Sequence, residues 1–241
     1  LPLASSSKMF LSSIAFLYLP VVSELYGRDD KQELTQVHSS AARWITYLAL
    51  PLLGFFSLNS AQSISFIFGE SYTSASVALS AMAAGYLFNS MTGPLGELLI
   101  AIGKTKKEML SNIVKIVLFI ITASLAIPNY GLLGAALAYS IGIISGDLLR
   151  LFFARNETGF FYNISFLKPF LGILISSLVT LPIKQNLPVE IILWALSYGI
   201  CMAAMKPFSE LDHRMIANTL EKNNLNHSAL IKTLDKMTRQ N

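Results

Sequence analysis

The chain has 241 residues, 53% hydrophobic and 13% charged, with a formal net charge of +4 and a mean hydropathy of +0.55. Soluble domains carry about 25% charged residues, and here the apolar residues also come in long blocks, which excludes a water-soluble core. The net positive charge does not point to nucleic acid, because the cations flank the apolar runs, as on the inner loops of membrane proteins.

Seven apolar runs follow one another, at 10–25, 44–68, 75–102, 109–127, 132–153, 166–183 and 188–205. Most approach the roughly 20 residues that a helix needs to cross a bilayer. The expectation is an all-α polytopic membrane protein with about seven transmembrane helices, multi-pass in the cytoplasmic (plasma) membrane. The opening LPLASSSKMF has neither an initiator Met nor the charged start of a signal peptide. The chain is therefore expected to begin partway through a longer protein.

Residues 1–26 hold the first span. In 27–43, Leu34, Val37 and Ala41 lead to Trp44 at three- and four-residue steps, behind Asp29 and Asp30. That pattern predicts a cytoplasmic helix at the membrane interface, packed on the protein's own inner face or on lipid surface. Residues 44–155 hold the core spans. Pro51 interrupts the second run, and the third contains Gly85 and then GPLG, so Gly93 and Pro94 mark either a packing kink or a hinge. Membrane helices tolerate such breaks where neighbours satisfy the freed carbonyls, and transporters line cavities with them.

The fifth run begins with IPNYGLLGAALAYSIGIISG, which places Gly134, Ala138, Gly142 and Gly146 on one helix face. Between membrane helices association rests on close approach, so this face predicts a contact surface for another helix, either fixed or sliding. Residues 156–206 hold two additional C-terminal spans, with the single Cys201 unable to form an internal disulfide. Residues 207–241 predict a cytoplasmic amphipathic tail.

Basic and bare connections alternate. Arg28, Lys31 and Arg43 follow the first run, Lys104, Lys106 and Lys107 the third, and Arg155 and Lys168 the fifth. The connections between carry GESYTS, PNYG and KQNL, with Lys184 the lone cation. The basic side is expected to be cytoplasmic, with the C-terminus on that side.

The passage IPNYGLLGAALAYSIG resembles the IP-x-YG-x-x-GAA-x-A signature of polysaccharide-biosynthesis (Wzx-like) flippases, in the multidrug/oligosaccharidyl-lipid/polysaccharide exporter superfamily. The resemblance continues in order through FLYLPVVSELYGRDD, AARWITYLALPL, ISFIFGESYTSASVALSAMAAGYLFN and LLIAIGKTKKEMLSNIVKI, covering residues 10–155. It implies a transporter of two six-helix lobes plus two further helices, of which these runs resemble the eighth through fourteenth. The partners it implies are a lipid-linked glycan, membrane lipids and a missing N-terminal lobe of the same protein.

Charges within the runs are the candidates for the transport path, since each costs at least about 2.5–3.5 kcal/mol to insert. Glu97, Lys115 and Asp147 fall in three consecutive runs, each about 10–12 Å from a basic flank at 1.5 Å per residue. In a hydrated cavity Lys115 would attract a pyrophosphate or acidic sugar, Asn112 would hydrogen-bond sugar hydroxyls, and Glu97 or Asp147 would accept a coupling proton or cation. The structural alternatives are a Lys115 that snorkels, an Asp147–Arg150 pair on one helix, and a Glu97–Lys115 pair that only fixes packing.

No enzyme is expected: His38, His213 and His227 have no metal-ligand partners at useful spacing, and no GxxxxGK[ST] loop is present. No cofactor and no metal are expected beyond a coupling ion. The function expected is translocation of a lipid-linked oligosaccharide. The alternatives are a multidrug or cation exporter of the same superfamily and a non-transporting membrane scaffold.

Overall fold

The structure is a computed structural model that describes residues 2–6, 8–159, 167–180 and 187–204. Residues 1–202 form one compact unit. Of the second unit, 203–241, only the last two residues of a helix are described, so the expected tail at 207–241 lies outside the described residues, as does Lys184.

The described residues are helical, with no strand among them. The helices are α1 (Pro2–Ser5), α2 (Lys8–Gly27), α3 (Lys31–Leu58), α4 (Ser60–Phe68), α5 (Ser76–Thr92), α6 (Leu95–Ala101), α7 (Thr105–Thr158), α8 (Leu167–Thr180) and α9 (Leu187–Ala204), with a 3-10 segment at Glu70–Ala75. Three of them, α3, α7 and α9, are long and apolar enough to cross a membrane. The count is lower than the seven apolar runs for identifiable reasons. Gly93 and Pro94 cut the third run into α5 and α6, α8 is described over 14 residues only, and α7 joins two runs.

Helix α3 starts where Asp30 accepts a hydrogen bond from the Glu33 amide at 3.0 Å, an N-cap supported by Glu33 in the first turn. It then runs unbroken to Leu58, so most of the segment expected as a separate interfacial helix is its first half. The stripe expected there, Leu34, Val37 and Ala41, is buried inside the protein.

Two prolines leave helix carbonyls without their usual donors, and side chains from other helices supply replacements. Pro51 has no N–H for the Tyr47 carbonyl, and the Tyr198 hydroxyl of α9 donates to that oxygen at 3.3 Å. The Trp194 indole, one turn earlier, donates to the Pro51 carbonyl at 3.0 Å. Pro94 likewise strips the Ser90 carbonyl, which accepts from Thr46 Oγ1 at 3.0 Å. On the same face of α3, His38 Nε2 donates to the Thr92 carbonyl at 3.2 Å, while its Nδ1 accepts from the Tyr18 hydroxyl at 2.6 Å. Gly93, at φ +70°, sits so close to Ala42 that a Cβ would approach the Ala42 methyl to 2.7 Å. The break at Gly93 and Pro94 is thus held by His38, Ala42 and Thr46, one helical turn apart along α3.

Helix α7 is two helices joined at Gly131, whose φ of 53° and ψ of −124° are accessible to glycine but not to a helix. Arms 105–130 and 132–158 fold back antiparallel. Gly134 lies against Ala126, Gly142 against Lys115 and Phe119, and Gly146 against Ser111 and Lys115. Arg150 meets Glu108 and Asn112, and Glu157 reaches Lys104 and Lys107. The small residues at 134, 142 and 146 therefore form the seam of this hairpin. Ser140, on a neighbouring face, crosses α5 at Gly85 and donates to the Ala81 carbonyl at 2.9 Å.

Candidate functional site

The two arms of α7 carry polar residues at matching intervals, Glu108, Asn112 and Lys115 on one, Asp147 and Arg150 beside Ile143 on the other. Steps of four and three keep each set on one helix face, and the antiparallel fold turns the two faces toward each other. Together with α2, α5 and α6 they enclose a cavity of about 160 Å³. Its walls include Lys8, Glu97, Glu108, Lys115, Asp147 and Arg150, three carboxylates and three cations in formal balance. Gly146 makes room for them: a Cβ there would stand 3.1 Å from the Lys115 Cβ and 3.5 Å from Arg150 Nη1.

Arg150 organises the wall. Its Nε and Nη2 bond both oxygens of Glu108 at 2.7 and 2.8 Å, Nη1 bonds Asp147 at 2.8 Å, and Nη2 also reaches Asn112 Oδ1 at 2.7 Å. The second Asp147 oxygen accepts from Asn89 of α5 at 2.9 Å. Asp147 and Arg150 are 2% and 9% exposed, and a buried charge is tolerable only when paired and hydrogen-bonded on this scale. The rigid guanidinium fork suits it to hold several acceptors at once. The network ties both arms of α7 to α5.

Lys115 and Glu97 stand apart. The Lys115 ammonium makes no hydrogen bond or ion pair with any described residue, and no described cation lies within ion-pair distance of Glu97. Both line the cavity. The alternative in which they pair with each other is not what the structure contains, whereas the Asp147–Arg150 pair is present. Asn112 is engaged by Arg150 and Glu108. Gly93 contributes to the lining and Pro94 caps α6, on whose first turn Glu97 sits.

Four wall residues escaped sequence reasoning: Glu108, Asn89, Lys8 and Tyr86. Glu108 stands beside the loop cations Lys106 and Lys107 in GKTKKE, just outside the apolar run that begins at 109. Its spacing of four and seven to Asn112 and Lys115 was the available signal for a shared helix face. Asn89 and Tyr86, three residues apart in an apolar run, carried no comparable mark.

A second cavity of about 670 Å³ shares Lys8 and Tyr86 with the first and is walled mainly by Phe119, Tyr139 and apolar residues, Met82, Leu132 and Ala136 among them. At the other end of the hairpin arms, Glu157 pairs with Lys104 at 3.0 Å and with Lys107. By hydrogen bond and charge it raises the Lys104 ammonium above the usual lysine value. No group of three or more His, Cys, Asp or Glu side chains among the described residues is arranged to hold a metal ion.

Comparison with known proteins gives three findings. Residues 3–183 match the family described as lipid II flippase MurJ. Over 142 residues, 59% of its length, the chain is 23% identical to the "Probable low-salt glycan biosynthesis flippase Agl15" of Haloferax volcanii, covering 30% of that protein. In three dimensions it matches the lipid II flippase MurJ in its inward closed conformation, with a TM-score of 0.66 and 22% identity, over 85% of this chain and 46% of that one. The chain thus spans less than half the length of either relative.

Proposed function

The chain belongs to the lipid II flippase MurJ family, one of transporters and not enzymes, and on that premise we propose that it contributes one lobe of a machine moving a lipid-linked oligosaccharide across the cytoplasmic membrane. The cargo class is a polyprenyl-pyrophosphate glycan. Its physical difficulty is the head: pyrophosphate charge and sugar hydroxyls lose their water in hydrocarbon, at several kcal/mol for each group left unpaired, as a rough guide. A polar cavity between lobes carries the head while the prenyl tail stays in the bilayer, and alternating access exposes that cavity first to one side and then to the other. In this reading residues 1–155 supply most of the second lobe, α8 and α9 are the additional helices, and the basic connections face the cytoplasm.

One observation carries the assignment of roles: an ammonium, Lys115, lines a cavity inside an apolar-surfaced bundle with no carboxylate of the described residues within ion-pair distance, Asp147 acting on it only through space. An ammonium not closed into an ion pair is available to an anionic head. Glu97, the carboxylate without an ion pair, is the group assigned to accept a coupling proton or cation. Arg150, Asp147 and Asn112, already bonded to one another, hold the wall in shape.

The experiment is flipping of a fluorescent polyprenyl-pyrophosphate disaccharide by the full-length protein in proteoliposomes. A charge-assisted contact is worth about 1.5–3 kcal/mol, so Lys115→Ala is expected to slow flipping about tenfold or more, with Lys115→Arg keeping most of the rate. An unchanged rate in Lys115→Ala overturns the assignment. Faster movement of a cationic dye after the same substitution would favour the exporter of cations.

A further inference from the structure

The charged cavity and its larger neighbour differ in character, and the difference points to a division of labour along one ligand. The smaller chamber presents six charged residues. Among the residues lining the larger one, Lys8 alone is charged, and apart from Ser5 the remaining walls are aromatic or apolar. Three rings form a continuous cluster. Tyr86 and Tyr139 stand 6.0 Å apart with their hydroxyls hydrogen-bonded at 3.1 Å, and Phe119 meets Tyr139 edge-on at 6.1 Å. The Lys8 ammonium lies 5.4 Å from the Tyr86 ring centre, at the junction of the two chambers.

Each feature selects a chemistry. An aromatic face is electron-rich, and the C–H face of a pyranose ring is apolar and slightly positive, so the two stack. Paired tyrosine hydroxyls in the wall can exchange hydrogen bonds with sugar hydroxyls. A chamber of about 670 Å³ falls in the usual range for a small-molecule site and has room for more than one sugar ring. A single lysine, a flexible point charge with no carboxylate beside it in that chamber, favours an acidic group over a neutral one.

We infer that the Phe119–Tyr139–Tyr86 chamber is a saccharide subsite, with Lys8 selecting a glycan whose sugars near the pyrophosphate carry a carboxylate or phosphate. This rests on the flippase reading, in which the charged chamber takes the pyrophosphate. The larger chamber then takes the first sugars, and Lys8 and Tyr86 contact the ligand where the two meet.

The test is equilibrium binding to the full-length protein in detergent of three probes sharing a geranyl tail: geranyl pyrophosphate, geranyl-pyrophosphate-linked N-acetylglucosamine, and geranyl-pyrophosphate-linked glucuronic acid. The native protein is expected to bind the neutral sugar probe about tenfold more tightly than the bare pyrophosphate, and the acidic one more tightly still. Phe119→Ala and Tyr139→Ala should bring the sugar-to-bare ratio near one without changing affinity for geranyl pyrophosphate. Lys8→Gln should abolish the preference for the acidic over the neutral sugar, while weakening geranyl pyrophosphate and the neutral probe by one common factor. Ratios untouched by Phe119→Ala, Tyr139→Ala and Lys8→Gln overturn the subsite. Affinities for all three probes unchanged by Lys115→Ala overturn the pyrophosphate assignment instead, and the sugar ratios still decide the subsite. Should none of the probes bind, both fall. A general packing role for the rings would weaken all three probes alike, which also counts against the subsite.

Discussion

At the scale of single residues, several polar groups of this protein are spent on repairing its own helices and not on a ligand. Tyr198, Thr46 and His38 each serve a main-chain carbonyl near a proline or a helix end. In hydrocarbon an unserved carbonyl has no water to turn to. The prediction is specific to the proline. Tyr198→Phe should cost about 0.6 kcal/mol, the average for a hydrogen bond within a membrane bundle, measured as unfolding free energy in mixed micelles. In a Pro51→Ala background the restored N–H at position 51 serves the Tyr47 carbonyl, and the cost of Tyr198→Phe should vanish. Equal costs in the two backgrounds would show that Tyr198 acts through ring packing alone. This residue-level repair was visible only in half: the prolines stood out in the sequence, whereas their rescuers lie 147 and 48 positions away along the chain and depend on which helices become neighbours.

At the scale of elements, the α7 hairpin decides where the charges meet. Its glycines are graded by what a methyl group would strike. At Gly134 a Cβ would collide with the main chain at Ala126 and Ile127, next to the bend, where neither arm can yield. At Gly142 it would come 3.0 Å from the Lys115 carbonyl, and at Gly146 its nearest neighbour is the Lys115 Cβ at 3.1 Å. Melting of the purified protein should therefore rank Gly134→Ala as most damaging, by about 1–3 kcal/mol as for overpacked cores, then Gly142→Ala, then Gly146→Ala with the smallest shift. A reversed order would mean that the arms do not pair in this register. The repeat of small residues and the PNYG turn were readable from spacing, because both are local. That the face served a partner within the same hairpin was not, since a small-residue stripe reads alike for a fixed seam and a sliding one. Glu108 shows the same limit. Only the pairing of arms brings it to Arg150, 42 residues later.

At the scale of the whole molecule, the described residues form an apolar interior and also present a largely apolar surface, unlike a protein in water. Ile113, Ile116, Ile120, Ile141, Leu148 and Phe152 of the hairpin are exposed, while Ser111, Ser140, Asp147 and Arg150 are buried. In α9, Val189, Ile192, Leu196 and Ile200 are exposed and Glu190 is buried. A surface this apolar would self-associate in water and is at rest in lipid. The arm 105–130 is about 39 Å long at 1.5 Å per residue, more than the roughly 30 Å of hydrocarbon, which is long enough to bring its two ends to opposite surfaces. Lys106 and Asn129 are exposed at those ends. With the single native cysteine removed as Cys201→Ser, Lys106→Cys should react with a membrane-impermeant maleimide only from the cytoplasmic side. Asn129→Cys should react only from the outer side. Labelling of both positions from one side would mean that the hairpin lies along the membrane and does not span it, and the charged cavity could then not serve as half of a passage.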